Sequence, residues 1–175
     1  MAREVLKTIW ISDMSRFTLF TYERGPEHVF REIRSMRKTI QRILAAHGGR
    51  VFKYEADNVF AVFDLPLEAV KATLEVLKRL PSSIGVCIGI GHGPLLYIRS
   101  EDDYYGMEIN LASKLGEDLA RPGELLLTEA AWLRLPPRRR TLFKGPFKVK
   151  VGPMFFPYYR FKPAGAVPLR TRSAR

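Results

Sequence analysis

Cysteine is almost absent from this chain of 175 residues, Cys87 being the single one. An intramolecular disulfide is therefore excluded, and a lone thiol inside an apolar run suits a reducing compartment, so the cytoplasm is the expected location. Long hydrophobic runs are also lacking. Val5-Leu6-Lys7-Thr8-Ile9-Trp10-Ile11 is too short to cross a bilayer and carries a lysine. No membrane partner is expected, nor a signal peptide ahead of a strand that starts almost at Met1. His28, His47 and His92 show no zinc-ligand spacing with Cys87. No Walker-type glycine loop occurs, which removes the P-loop ATPases. Acidic residues are few beside basic ones, 18 against 29, for a formal charge of +11. Nucleic acid, anionic lipid or a polyphosphate ligand would each suit that excess. Much of it falls late, at Arg138-Arg139-Arg140, Lys144, Lys148, Lys150, Arg170, Arg172 and Arg175. A solvated basic face and a tail explain this more simply than a dedicated nucleic-acid surface.

What is present is an ordinary globular composition, 46% hydrophobic and 27% charged, with enough chain for one sizeable core. Residues 1–161 are read as one domain and 162–175 as a loose basic tail. A buried strand over 4–13 ends in Ser12-Asp13. After Gly25-Pro26, the apolar positions Val29, Ile33, Met36, Ile40, Ile43 and Leu44 predict a helix that exits at Gly48-Gly49. Strands over 50–54 and 59–63 flank a tight turn at Ala56-Asp57-Asn58. Leu67, Val70, Leu74 and Leu77 mark a second helix opened by Pro66 and closed before Pro81. Ile84, Val86, Ile88 and Ile90 then alternate with Gly85, Cys87, Gly89 and Gly91, a strand with one bulky face and one nearly bare face that a helix, backbone or ligand can approach. A third helix over 106–118, a strand over 124–128, a short helix over 129–133 and strands near 141–151 and 154–161 complete the pass. Hairpins interleaved with helices predict an α+β fold, a ferredoxin-like βαββαβ core with a mainly antiparallel sheet, rather than a doubly wound parallel one.

Asp13 ends the first strand and Asp57 sits in the hairpin turn. Paired carboxylates at strand ends suit Mg²⁺ or Mn²⁺, which share their remaining positions with water and phosphate oxygens. Taken singly, Asp13 also fits a cap for the segment at Ser15, and Asp57 a turn former beside Asn58.

The surrounding words bear on that choice. Ile11-Ser12-Asp13-Met14-Ser15-Arg16-Phe17-Thr18 resembles the metal-binding opening of the class III adenylate and guanylate cyclase catalytic domains. Residues 47–63, with Lys53-Tyr54-Glu55-Ala56-Asp57, resemble that family's second block. Gly89-Ile90-Gly91-His92-Gly93-Pro94 is similar to its central strand and turn, Asp103–Leu115 to its helix block, and Pro122-Gly123-Glu124-Leu125-Leu126-Leu127-Thr128 follows in order. The similarity runs through roughly residues 8–132 and more weakly to Phe161.

The resemblance implies the class III nucleotidyl cyclase fold, ATP as substrate, 3′,5′-cyclic AMP and pyrophosphate as products, two Mg²⁺ or Mn²⁺ ions, and a homodimer. It implies that Asp13 and Asp57 hold the metals and that the backbone of Met14–Phe17, with Phe17 and Thr18, meets phosphate oxygens. It makes Lys53 the donor to adenine N1 and Asp103 the acceptor from the 6-amino group. Guanylate cyclases typically carry glutamate and cysteine at these positions. Asn110 orients the ribose, Lys114 stands where the family has a phosphate-clamping arginine, and the late lysines Lys148 and Lys150 are candidates for the triphosphate, with Lys150 preferred. Asn110 and Lys114, four residues apart, share a helix face.

Five departures accompany the resemblance. Lys114 keeps the arginine's charge but loses its bidentate fork. Arg16 and Asn58 stand where glycines are usual. Glu55 is unusual, and alternation puts it on the face of Lys53 and Asp57, where it can join the metals or pair with the lysine. The segment 95–102 is shorter than its counterpart. Besides an active ATP cyclase, two readings follow: a cyclase-like domain that binds nucleotide or a partner without turnover, and a nucleic-acid-binding domain using Phe52, Tyr54 and Phe60 to stack on bases. Nucleic acid is not the expected partner, because no glycine-aromatic core strand is found and two aspartates without metal would hinder phosphate approach.

Overall fold

The computed structural model describes residues 2–14, 17–81 and 85–162, so of the expected tail only Lys162 is covered. The elements are β1 (Ala2–Met14), α1 (Phe17–Arg24), α2 (Pro26–Ala46), β2 (Arg50–Glu55), β3 (Asn58–Phe63), α3 (Pro66–Arg79), β4 (Val86–Ile98) and β5 (Asp103–Tyr105). Then come α4 (Met107–Ser113), a π-helical turn (Lys114–Leu119), β6 (Leu125–Thr128), α5 (Glu129–Leu133), α6 (Pro137–Arg140), β7 (Phe143–Val151) and β8 (Met154–Phe161). They build one sheet in the order β2-β3-β1-β4-β6-β8-β7, with β5 paired to β4. The β4–β6 pair is parallel and the others are antiparallel. The fold class expected from the sequence, α+β on a mainly antiparallel sheet, is the one observed. The run β2-β3-β1-β4 with α2 and α3 is its βαββαβ core.

Each face of the sheet buries a different set of side chains because strand residues alternate. One face sends Trp10, Val59, Ala61, Phe63, Ile88 and Ile90 into a cluster with the apolar stripes of α2 and α3. The stripe of α2 is the six-residue set predicted from its spacing, all buried, and Pro26 occupies its first turn. Trp10 is fully buried, and its indole N–H donates to Thr73 Oγ1 on α3 at 2.7 Å. Burying each large apolar side chain here stabilises the fold by roughly 2 kcal/mol relative to exposure.

The other face carries Ile9, Ile11, Phe60 and Val62, packed with Leu95, Tyr104 and Ala112. Here lies the bare stripe of β4. A Cβ at Gly89 would stand 2.0 Å from the carbonyl oxygen of Ala112, and one at Gly91 2.5 Å from that of Glu108. The helix therefore rests on strand backbone, the close approach that the alternation predicts. Gly116 meets Gly89 from the helix side: a Cβ there would lie 2.9 Å from the Gly89 nitrogen.

Four local expectations change. The turn that the resemblance implies within Gly89–Pro94 is strand, since β4 continues to Ile98 and pairs with β1 from Met14↔Val86 to Ala2↔Ile98. The helix over 106–118 is α-helical only to Ser113 and then widens into the π turn, where Gly116 meets Gly89. Helices α1 and α6 and strand β5 are additional elements. Of the three aromatic residues considered for base stacking, Phe60 is buried and Phe52 packs edge-on to Tyr104 at 5.0 Å between ring centroids. Both are committed to the core rather than presented to a base.

Candidate functional site

Asp13 stands one residue before the end of β1, opposite Cys87 of β4. The β2–β3 turn carries Asp57 back to the same place, and the Met14 backbone N–H donates to Asp57 Oδ2 at 3.2 Å. The two carboxyl groups are hydrogen-bonding neighbours, and the Asp13 carboxyl is pushed up from 3.8 to about 6. Burial is the main cause, followed by the negative charges of Asp57 and Glu117 and the Asp57 hydrogen bond; the Met14 backbone opposes them. Two carboxylates held this close disfavour joint ionisation unless a cation sits with them.

The donor set fits a hard divalent ion. Among the described residues no group of three or more His, Cys, Asp or Glu side chains forms a metal cage. Mg²⁺, however, is commonly bound by one or two carboxylates, water and substrate phosphates rather than by an all-protein cage.

Glu117 is a nearby acid that sequence reasoning missed. The π turn brings it toward Asp13, and burial together with Asp118, Glu55 and Asp57 raises its carboxyl pKa against a Ser113 hydrogen bond. Regular helical spacing would not have signalled this position. Cys87, across from Asp13, is a passive neighbour: burial, then Asp13 and Glu124, push its thiol up to about 11, which keeps it protonated and unreactive.

Lys53 of β2 and Asp103 of β5 are brought together, with Lys53 Nζ 3.8 Å from Asp103 Oδ2. They meet because β5 folds back on β4 through Ile98↔Asp103, Tyr97↔Tyr104 and Leu96↔Tyr105. The connection is fastened to β2. Arg50 donates to both oxygens of Asp102, at 2.7 and 3.0 Å, and to Tyr104 Oη at 3.0 Å. Tyr97 Oη donates to Asp102 Oδ1 at 3.0 Å. Those bonds hold the Asp102 carboxyl below its usual range. The next residue, Asp103, accepts from the Tyr104 backbone N–H at 2.8 Å with Oδ1, while Oδ2 is the oxygen nearest Lys53. The Arg50 fork is a second feature that the sequence did not disclose, because its partner lies 52 positions away.

Asn110 of α4 and Lys114, the first residue of the π turn, sit on the element that covers the glycine stripe. Glu108 fastens that helix to the sheet: its Oε2 accepts from the His92 backbone N–H at 2.9 Å and from Thr128 Oγ1 at 2.7 Å. The Asn110 side chain is exposed. The Lys114 ammonium is in ion-pair contact with Asp118, one turn on. Lys150 lies apart from these groups on β7, exposed, its ammonium 6.0 Å from the centroid of the Phe155 ring. Phe17 and Thr18 open α1, and their side chains lie outside the described residues, as do Ser15 and Arg16. The site residues thus form a carboxylate pair at the end of β1, a lysine–aspartate pair at the β2–β5 meeting point, and a polar helix edge.

No family model matches the chain. Uncharacterized proteins of Mycobacterium tuberculosis and Mycobacterium bovis are 29% identical over 146 residues, covering 81% of this chain and 37% of theirs. The chain thus spans little more than a third of the length of the curated relatives it matches. Among solved structures, an adenylate/guanylate cyclase/hydrolase from Silicibacter pomeroyi superposes with a TM-score of 0.79 at 21% identity, over 94% of this chain and 100% of that one. The adenylyl cyclase CyaB from P. aeruginosa gives 0.78 at 18% identity, over 94% and 97%. The catalytic core of a rhodopsin-guanylyl cyclase with converted specificity, in complex with ATPalphaS, gives 0.79 at 18%, over 93% and 98%. With the sheet order, the glycine-backed helix and these superpositions together, the chain has the fold of the class III adenylate and guanylate cyclase catalytic domains.

Proposed function

We propose that this chain is a nucleotidyl cyclase domain that converts ATP into 3′,5′-cyclic AMP and pyrophosphate at a site shared between two copies. The observation that carries this reading is the contact of Asp13 with Asp57, two carboxyl groups from separate strand ends whose mutual repulsion asks for a cation. Two Mg²⁺ or Mn²⁺ ions bound there would lower the pKa of the ribose 3′-hydroxyl and offset the charge of the triphosphate.

In this reading the 3′-oxygen attacks the α-phosphorus in line. The bond from that phosphorus to the bridging oxygen breaks, pyrophosphate departs with the oxygen, and the hydroxyl proton passes to water. Lys53 donates to adenine N1 and Asp103 accepts from the 6-amino group, a division of labour supported by their 3.8 Å separation. Asn110 orients the ribose, Lys114 offsets charge at the α-phosphate, and Lys150, Phe17 and Thr18 serve the triphosphate. Asp13 and Asp57 come from one copy and Lys53, Asp103, Asn110 and Lys114 from the other. No described helix is long and apolar enough to cross a membrane.

A second reading, nucleotide binding without turnover, is favoured by one observation: the Lys114 charge is already engaged by Asp118. The deciding experiment incubates purified protein with each of the four nucleoside triphosphates and Mg²⁺ or Mn²⁺ and resolves products by mass. Cyclic AMP from ATP supports the cyclase; bound but unconverted ATP supports the second reading.

A further inference from the structure

Glu55 is the one acidic residue on the hairpin that neither the metal pair nor the base pair absorbs. It stands two residues after Lys53 and two before Asp57, with a register partner in Asn58. A bulge between Val51 and Lys53 sets the register so that Lys53 lies opposite Phe60 and Glu55 opposite Asn58. The two side chains therefore project from the same face. Glu55 Oε2 lies 3.3 Å from Lys53 Nζ, nearer than the 3.8 Å to Asp103, and the ammonium also rests 5.5 Å from the centroid of the Phe60 ring.

An ammonium carries three hydrogens and no acceptor. Glu55, at 3.3 Å, is placed to accept one of them, while Asp103, at 3.8 Å, attracts the ammonium by charge without a close hydrogen bond, so hydrogens remain for an incoming base. A donor held by two carboxylates is also held in its charged form, and Lys53 is accordingly raised, with the Glu55 hydrogen bond as the largest cause. Three roles are open to Glu55 chemically: a metal ligand, a competitor that withholds Lys53 from the base, or a brace that aims it. A brace suits the layout best, because Lys53 reaches both carboxylates at once and need not leave one to meet the other.

We infer that Glu55 is a positioning residue for base selection, holding the Lys53 ammonium between two carboxylates so that one N–H is presented to a purine ring acceptor beside the Asp103 oxygen. This rests on the reading of Lys53 and Asp103 as the base-contacting pair. An edge with an acceptor next to an amino donor, as in adenine, fits the arrangement. Guanine offers a ring N–H and a carbonyl at the same two places, setting a donor against the Lys53 ammonium and an acceptor against the Asp103 carboxylate, so it is mismatched at both.

The test uses the full chain with Mn²⁺ and measures equilibrium binding of non-cyclisable ATP and GTP analogues and of inorganic tripolyphosphate, which has no base. The proteins compared are wild type, Glu55→Gln, Glu55→Ala and Glu55→Asp. The residue is well exposed, so the substitutions are compatible with folding, and a thermal melt of each protein verifies it. Glu55→Gln and Glu55→Ala should weaken the ATP analogue by about ten-fold, as loss of one charged hydrogen bond does. Tripolyphosphate binding should be unchanged, and Glu55→Asp should recover part of the loss. Unchanged or tighter ATP-analogue binding overturns the brace, the tighter result marking a competitor. Equal losses for the ATP analogue and tripolyphosphate overturn it in favour of a metal ligand. A wild type that binds the ATP analogue no better than the GTP analogue overturns the base-pair reading itself, and the brace with it.

Discussion

The backbone N–H of Met14 donates to the carboxylate of Asp57 across 43 positions of sequence, at 3.2 Å. This one bond closes the end of β1 onto the β2–β3 turn and sets the neighbouring Asp13 carboxyl against that of Asp57. Asparagine at 57 keeps an oxygen that can accept from Met14, so removing either charge as the amide should act on chemistry rather than on the fold. Asp13→Asn and Asp57→Asn should each abolish cyclic AMP formation, a loss of several kcal/mol, on the order expected for a metal carboxylate. Circular dichroism should remain that of the parent. Full turnover by either folded variant would remove the metal assignment.

The same contact predicts a pH dependence of the ion-free protein. Asp13 holds its proton to about pH 6 when folded, against an ordinary value of 3.8. Between those values the folded state binds more protons than the unfolded one. The stability contributed by this group therefore falls as pH rises through that window, and the penalty persists above it. After discounting for solvent screening of this half-buried group, the effect is on the order of 1 kcal/mol. Asp13→Asn should melt higher than the parent at pH 7 without divalent ions, and Mn²⁺ should raise the parent's Tm more than the variant's. Equal melting of the two metal-free proteins at pH 7 would contradict the repulsion.

Lys53 and Asp103 should govern which base is accepted. Lys53→Glu combined with Asp103→Cys should weaken ATP use and admit GTP, a mispaired polar contact costing about 1–3 kcal/mol. Competition kinetics with the two nucleotides give the ratio directly. A parent that converts both at the same rate would refute the assignment.

Lys114 and Asp118 offer a rate prediction. Lys114→Arg should raise kcat with little change in apparent ATP affinity, since a planar fork holds two oxygens in the transition state. Lys114→Ala should lower kcat by roughly ten-fold or more. Steady-state cyclic AMP formation at saturating Mn²⁺-ATP measures both, and an alanine variant equal to the parent makes Lys114 a bystander.

Shared sites predict complementation. Asp13→Asn and Asn110→Ala proteins, each inactive alone, should recover activity on mixing, because a mixed pair keeps one intact site. No recovery after subunit exchange has been verified by mass would argue for sites built within one copy.

Much of this architecture is legible from residue spacing. The α2 stripe, the hairpin around Asp57 and the alternation of glycine with isoleucine in β4 each express one period, and the fold keeps all three. What escaped depends on contacts between distant parts of the chain. Helix α1 is only eight residues long, with Leu19, Phe20 and Tyr22 at spacings that make no helical stripe, so no period announces it. Gly93 beside Pro94 looks like a turn residue until Glu108 is seen lying over it. The π turn arises where Gly116 meets Gly89, and no periodicity encodes that. At the site, the pairing of Lys53 with Asp103 required β5, a three-residue strand defined only by its partner.

The fork from Arg50 to Asp102 bears on how a ligand would be received. It ties β2, which carries Lys53, to the connection that carries Asp103, so the two groups are set at a fixed separation when the chain folds. The conformational entropy of bringing them together is spent before any nucleotide arrives, which leaves more of the contact energy for affinity. Under the roles proposed for Lys53 and Asp103, discrimination between bases would then be built into the resting protein rather than assembled as a ligand binds.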